Sequence, residues 1–230
     1  MASLTLDVVV SLPDELNRRA IELSGVLADR MREQGASSYF RLGKPFDGGA
    51  GDCAPHVSLF MLAVDAADIP DVVAATRWVA AGIPGLVAEG ERYQHNPVGA
   101  PELYFRRTQR WIDLQRAVVA AVEPLRRGRL RDTDPAGQDV RGLIADPATD
   151  PAQRDQLVRY GYDEIADRFN PHVTLAWPVD PDFRVDLADL APAEFSGTLS
   201  GLAVYAMSPH GTCTTLHGTA EFDAPELAAR

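Results

Sequence analysis

Hydrophobic positions along this chain switch between a helical and a strand period, and each switch marks an element. Residues 4–10 form a Leu- and Val-rich run followed by Leu12-Pro13-Asp14-Glu15, which predicts a buried strand feeding a helix with Pro and acids near its start. That helix runs to about Gln34: Leu16, Ala20, Leu23, Val26, Leu27 and Met31 share one stripe, Arg18, Arg19, Glu22, Asp29 and Arg32 face elsewhere, and Gly35 stops it. A short strand is predicted over 38–42, a flexible loop over the Gly-rich 47–52, a strong strand over 56–64, and a helix over 70–81 ended by Gly82 and Pro84. Residues 86–93 and 102–107 read as a hairpin-like pair around Asn96-Pro97-Val98-Gly99, and a helix follows over about 109–126.

From 127 to about 155 the pattern lapses into Pro, Asp and few large apolar residues, the composition of an insertion or lid in loop conformation rather than core. Residues 156–169 predict a helix with Leu157, Tyr160 and Ile165 inward, 172–177 a strand, and 195–207 with 214–222 a terminal antiparallel pair. Strands joined by turns, without a regular strand-helix-strand alternation, indicate an α+β fold over a single domain spanning 1–230.

Composition adds limits. Of 230 residues, 46% are hydrophobic and 24% charged, as expected of a globular chain with a sizeable core. Acidic residues outnumber basic ones 33 to 22, a net charge of -11 that excludes a wrapper of long nucleic acid or a binder of anionic membrane. The basic residues are 21 Arg and one Lys, Lys44, a bias read mostly as background composition. No run of eighteen apolar residues and no signal-peptide pattern is present, so the reading is of a cytoplasmic monomer. Cys53 and Cys213 exclude a disulfide framework and are expected as free thiols.

The chemistry lies in a repeated motif. Pro55-His56-Val57-Ser58-Leu59 and Pro171-His172-Val173-Thr174-Leu175 each place an imidazole and a hydroxyl two positions apart, hence on one strand face, with Val and Leu turned to the core. A given His meets this pattern by chance with a probability of about 0.02. Its occurrence at two of five His residues is therefore informative.

On these tetrapeptides the chain resembles the two-histidine (2H) phosphoesterases, a family that includes 2'-5' RNA ligase-like proteins and cyclic nucleotide phosphodiesterases. In element order the resemblance extends over nearly the whole chain. It implies a bilobal, pseudo-two-fold fold in which two antiparallel sheets flank a concave cleft, helices lie outside, and one motif from each lobe faces the other. It also implies metal-independent hydrolysis of a cyclic phosphate or a 2'-5' phosphodiester, of a nucleotide or an RNA end, with no cofactor. His56 and His172 are then general acid and base in an order left open, with Ser58 and Thr174 on the phosphate. Independent chemistry agrees, because an in-line displacement needs one group to take a proton and another to give one, and imidazole does both near neutral pH.

Tyr39 and Arg41, Tyr104 and Arg106, and Tyr160 and Arg168 are candidate substrate contacts, since an aromatic beside Arg suits base stacking and phosphate binding. Arg159 and Tyr162 belong to the same candidate wall before the second motif. With so acidic a chain, an anionic substrate must be attracted locally, and Arg41, Arg106, Arg159 and Arg168 are the residues expected to attract it. Two other readings stand beside this one. Cys53-x-x-His56 and His210-x-x-Cys213-x-x-x-His217 have zinc-compatible spacings that would suit a zinc hydrolase, and the same fold would serve as a nucleotide or RNA-end binding module without turnover.

Overall fold

The computed structural model describes residues 3–46 and 51–223, so most of the Gly-rich loop expected over 47–52 lies outside the described residues. In chain order the elements are β1 (Ser3–Ser11), α1 (Asp14–Glu33), β2 (Ser38–Arg41), β3 (His56–Asp65), α2 (Ile69–Ala80), β4 (Leu86–Ala88), β5 (Gly90–His95), β6 (Pro101–Phe105), α3 (Gln109–Val122), α4 (Val140–Ala145), α5 (Pro151–Tyr160), β7 (His172–Thr174), β8 (Ala176–Pro178), β9 (Gly197–Leu199), β10 (Gly201–Ser208) and β11 (Thr212–Glu221).

The largest sheet runs β11-β10-β1-β3, antiparallel throughout. β1 is interior to it, and Leu6, Val8, Val9 and Val10 are fully buried, which is why its sequence is apolar on both faces rather than alternating. α2 packs on β10 and β11, and α3 on β3. A second antiparallel sheet, β5-β6-β7, carries the other motif, with the pairs β2–β8 and β4–β9 completing the strand set and α1 against β2 and β8. The motif strands β3 and β7 come into contact, so two segments more than a hundred residues apart meet at one place. No helix among the described residues is long and apolar enough to cross a membrane.

The α+β class holds, and several element boundaries move for identifiable reasons. The predicted strand over 86–93 is two strands with different partners, β4 on β9 and β5 on β6. The break falls at Glu89, just before Gly90, where a Cβ would collide with the Pro192 carbonyl oxygen. On α1, Val26 is 46% exposed, and the buried place on the stripe belongs to Ser24, whose hydroxyl accepts from Leu42 N at 2.9 Å.

The segment 127–155 is not all loop. Asp139 caps α4 by accepting from Arg141 N and Gly142 N, and Val140 is buried. Asp150 and Pro151 start α5 before the predicted boundary, and Gly161, at φ +67°, ends it well before Phe169. Beyond Gly161 the chain is held by the Gln156 side chain, which bonds both N and O of Ile165. The predicted strand over 172–177 is likewise interrupted at Leu175, giving β7 and β8.

Candidate active site

Strand alternation puts the core where the pattern predicts it: Val57, Leu59 and Leu175 are fully buried and Val173 nearly so, while His56, Ser58, His172 and Thr174 line one cleft. Each imidazole is fixed in the same way. His56 Nδ1 lies 2.7 Å from the carbonyl oxygen of Ala54, and His172 Nδ1 lies 2.8 Å from that of Asn170. A carbonyl accepts only, so both Nδ1 atoms carry hydrogen and both Nε2 atoms are left for chemistry. The side chains are 13% and 18% exposed, screened from bulk water yet open to the cleft.

Each motif also has a buried carboxylate from the neighbouring strand. Ser58 Oγ donates to Asp7 Oδ2 at 2.7 Å, and that oxygen is 3.9 Å from His56 Nε2. Glu102 stands opposite Thr174 in the β6–β7 ladder, with its Oε1 3.5 Å from Thr174 Oγ1 and 3.8 Å from His172 Nε2. The Glu102 carboxylate is itself held by Tyr104 Oη at 2.5 Å and Asn96 Nδ2 at 2.8 Å. Sequence reasoning missed both acids. The available signal was a lone charge inside each apolar strand, Asp7 in LTLDVVV and Glu102 in PELYF.

The two imidazoles are driven in opposite directions. Burial pushes the His56 pKa below its ordinary value, outweighing the Ala54 carbonyl that favours the charged ring. Burial also acts against the charged form of His172, but there the carboxylates of Glu102 and Glu164 prevail and the pKa is raised. Burial raises Asp7 to about 7 against the lowering effect of the Ser58 hydrogen bond, and it raises Glu164 as well.

Of the candidate substrate residues, Tyr104 lines the cleft, its ring tilted on His172 with centroids 5.3 Å apart, and Tyr162 lines it too. Tyr39 is beside the cleft rather than in it, stacked at 4.1 Å on His210, which does line it. The four arginines expected to attract the phosphate do not line it. Arg41 turns to Asp29 of α1 at 3.4 Å, and Arg106 pairs with Glu89 at 2.7 Å. Arg106 lies past the end of β6, so strand alternation from Tyr104 does not carry to it. Arg168 is engaged by Asp150 and by the Asp163 carbonyl oxygen, and Tyr160 and Arg159 line a separate groove against α3.

The described lining residues instead include Glu102, Asp134, Asp163 and Glu164, with no Arg or Lys among them. One arginine does lie close behind the wall. Arg131 is 1% exposed and contacts Met61 Sδ at 3.4 Å and the Gly161 carbonyl oxygen at 3.3 Å, with Nη2 unpartnered.

The thiols separate. Among the described residues, Asp7, His56 and Cys213 form a group in which one ligand atom of each lies within 4.8 Å of the others, whereas Cys53, His210 and His217 do not join it. The two zinc-compatible spacings of the sequence thus contribute one residue each to a single group and do not form a set of four.

No family model and no curated protein matches the sequence. Solved structures are similar in fold: E. coli LigT in complex with NADP+, with a TM-score of 0.55 and 15% identity over 96% of this chain and 99% of that one. TT0787 of Thermus thermophilus gives 0.54 and 18% over the same shares. A protein described as a phosphoesterase gives 0.54 and 15%, again over 96% and 99%. LigT has also been crystallised with 3'-AMP and with ATP, at a TM-score of 0.52 in each case. The chain therefore has the LigT-like fold expected from the two tetrapeptides.

Proposed function

We propose that the protein is a metal-independent phosphodiesterase that hydrolyses a cyclic phosphate or a 2'-5' phosphodiester of a nucleotide or RNA end, with His56 as general base and His172 as general acid. The observation that carries this reading is the pair of imidazoles in one cleft with Nδ1 locked alike and pKa values driven apart. Opposed environments of this kind are how paired titratable groups take up acid and base roles.

In the proposed reaction, His56 Nε2 takes a proton from water as the water oxygen bonds to phosphorus. The opposite P–O bond breaks, and the departing oxygen receives the proton of His172 Nε2. Proton exchange with solvent then returns both rings to their starting states. Ser58 and Thr174 hold the nonbridging oxygens, whose charge grows in the transition state. Their hydroxyls face Asp7 and Glu102 in the free protein, so substrate must draw these donors away from the carboxylates. The segment bearing Asp134, Pro135, Ala136 and Gln138 closes one side of the cleft, in keeping with a lid role for the stretch between α3 and α5. The nucleotides bound by LigT, a protein similar only in fold, support a nucleotide-sized substrate.

The test is a panel of 2',3'-cyclic nucleotides, ADP-ribose cyclic phosphate, 2'-5'-linked oligonucleotides and RNA with cyclic-phosphate ends, each with and without excess chelator. Turnover that persists in chelator and disappears in His56→Ala and His172→Ala is expected. Turnover only with added metal would overturn the metal-independent reading, and binding without any turnover would favour a non-catalytic module.

A further inference from the structure

Cys213 is fully buried and has no part in the proposed reaction, yet its Sγ is 3.6 Å from His56 Nε2 and 4.0 Å from Asp7 Oδ2. The third side of this triangle, His56 Nε2 to Asp7 Oδ2, is 3.9 Å. A tetrahedral zinc ion with Zn–S of about 2.3 Å and Zn–N and Zn–O of about 2.0–2.1 Å sets its ligand atoms about 3.3–3.6 Å apart. The three atoms thus need to close in by no more than about half an ångström.

Two further features fit a metal. Asp7 Oδ2, the oxygen that forms the triangle, is held in place by the Ser58 hydroxyl at 2.7 Å. The Nδ1–H of His56 on the Ala54 carbonyl fixes the ring with Nε2 outward, the outer-shell contact that metal-ligating histidines use. Thiolate and imidazole favour zinc over magnesium or calcium, and a thiolate with a carboxylate balances two positive charges inside the fold. The His172 half has a carboxylate and a hydroxyl in corresponding places, but no cysteine belongs to it.

We propose that Asp7, His56 and Cys213 form a Zn2+ site whose occupation takes the lone pair of His56 Nε2 and so switches the phosphodiesterase off. The centre is inhibitory: zinc and the catalytic water compete for the same nitrogen. The inhibitory half rests on the reaction proposed above; the binding half does not.

The experiment is a titration of the reduced, chelator-treated protein with Co2+, then Zn2+, read by absorption, with turnover of 2',3'-cyclic AMP measured in parallel. Wild type should bind one Co2+ with the intense visible bands of a tetrahedral site and a near-ultraviolet thiolate charge-transfer band. Zn2+ should abolish the bands and the turnover, and chelator should restore the turnover. Cys213→Ala and Cys213→Ser, with folding checked by thermal melting, should lose the thiolate band and bind Zn2+ at least about a hundredfold more weakly, since even an outer partner is worth about 10–100-fold. Both variants should retain turnover in chelator and resist inhibition. No thiolate band in wild type, or the same band in both variants, would overturn the site. Zinc-stimulated turnover would overturn its inhibitory role. Absence of turnover on any phosphodiester would count against the proposed reaction, and the cobalt spectrum would still decide the metal site.

Discussion

Glu102 Oε1 lies 3.8 Å from His172 Nε2, close enough for its charge to favour the imidazolium and too far for a direct hydrogen bond. Burial alone would drive His172 down, as it does His56, so Glu102 and the neighbouring Glu164 separate the two rings in pKa. A general acid must hold its proton at the working pH, so with His172 in that proposed role turnover should decline as pH rises through the His172 pKa. Glu102→Gln removes the larger raising influence and should shift that alkaline limb to lower pH. The rate near neutrality should fall about tenfold for each unit of the shift. A pH–rate profile with an imidazole NMR titration checks this, and an unmoved limb contradicts it.

The two hydroxyls should be unequal to the histidines. On the proposed mechanism Ser58→Ala and Thr174→Ala would each remove one donor to the phosphate and should lower kcat by at most about 10²–10³. His56→Ala and His172→Ala remove proton transfer and should cost about 10²–10⁴ or more. Single-turnover kinetics on a cyclic nucleotide distinguishes these, and hydroxyl variants weaker than the histidine variants would reverse the assignment.

The acidic lining predicts a preference about charge. Glu102, Asp134, Asp163 and Glu164 border the cleft without an Arg or Lys among the described lining residues. A monoanionic cyclic phosphodiester should therefore be handled better than the same compound bearing an additional terminal phosphate, by about five- to tenfold in kcat/KM at low salt. The difference should shrink as ionic strength rises, because exposed charges are screened.

Arg131 supplies positive potential from behind the wall. Its guanidinium contacts a carbonyl oxygen and a thioether sulfur, both uncharged, and its Nη2 is unpartnered. Because these hydrogen-bond partners are uncharged, a Met of similar length strands no hydrogen-bonded counter-charge, the main cost of breaking a buried ion pair. Arg131→Met should therefore melt near the wild-type temperature while kcat/KM falls about tenfold, equivalent to about 1.4 kcal/mol. A large drop in melting temperature with unchanged turnover would make Arg131 structural instead.

The two motifs were legible because strand alternation ties identity to direction: Val57, Leu59, Val173 and Leu175 inward leaves the His and hydroxyl residues outward. Core elements with strong periodicity, β1, α1, β3, α2 and α3, were legible for the same reason. The partners of the motifs were not, because Asp7 and Glu102 reach them through strand pairing between distant segments, a register that local pattern does not encode. The candidate arginines failed on a related point. Arg41, Arg106 and Arg168 found nearer acids in Asp29, Glu89 and Asp150, and a chain this acidic offers many such partners. Helix boundaries near α4 and α5 were set by Asp caps and Gly161, signals too local to register against a Pro- and Asp-rich background.

The central claim is that His56 is the base and His172 the acid, and leaving-group dependence tests it most directly. A nucleoside p-nitrophenyl phosphodiester expels an anion that needs no proton, so loss of the acid should matter little on it and loss of the base should matter fully. In chelator, His172→Ala should recover most of the wild-type rate on the aryl ester while remaining inactive on the cyclic nucleotide, and His56→Ala should fail on both. Recovery in His56→Ala but not in His172→Ala would contradict the assignment.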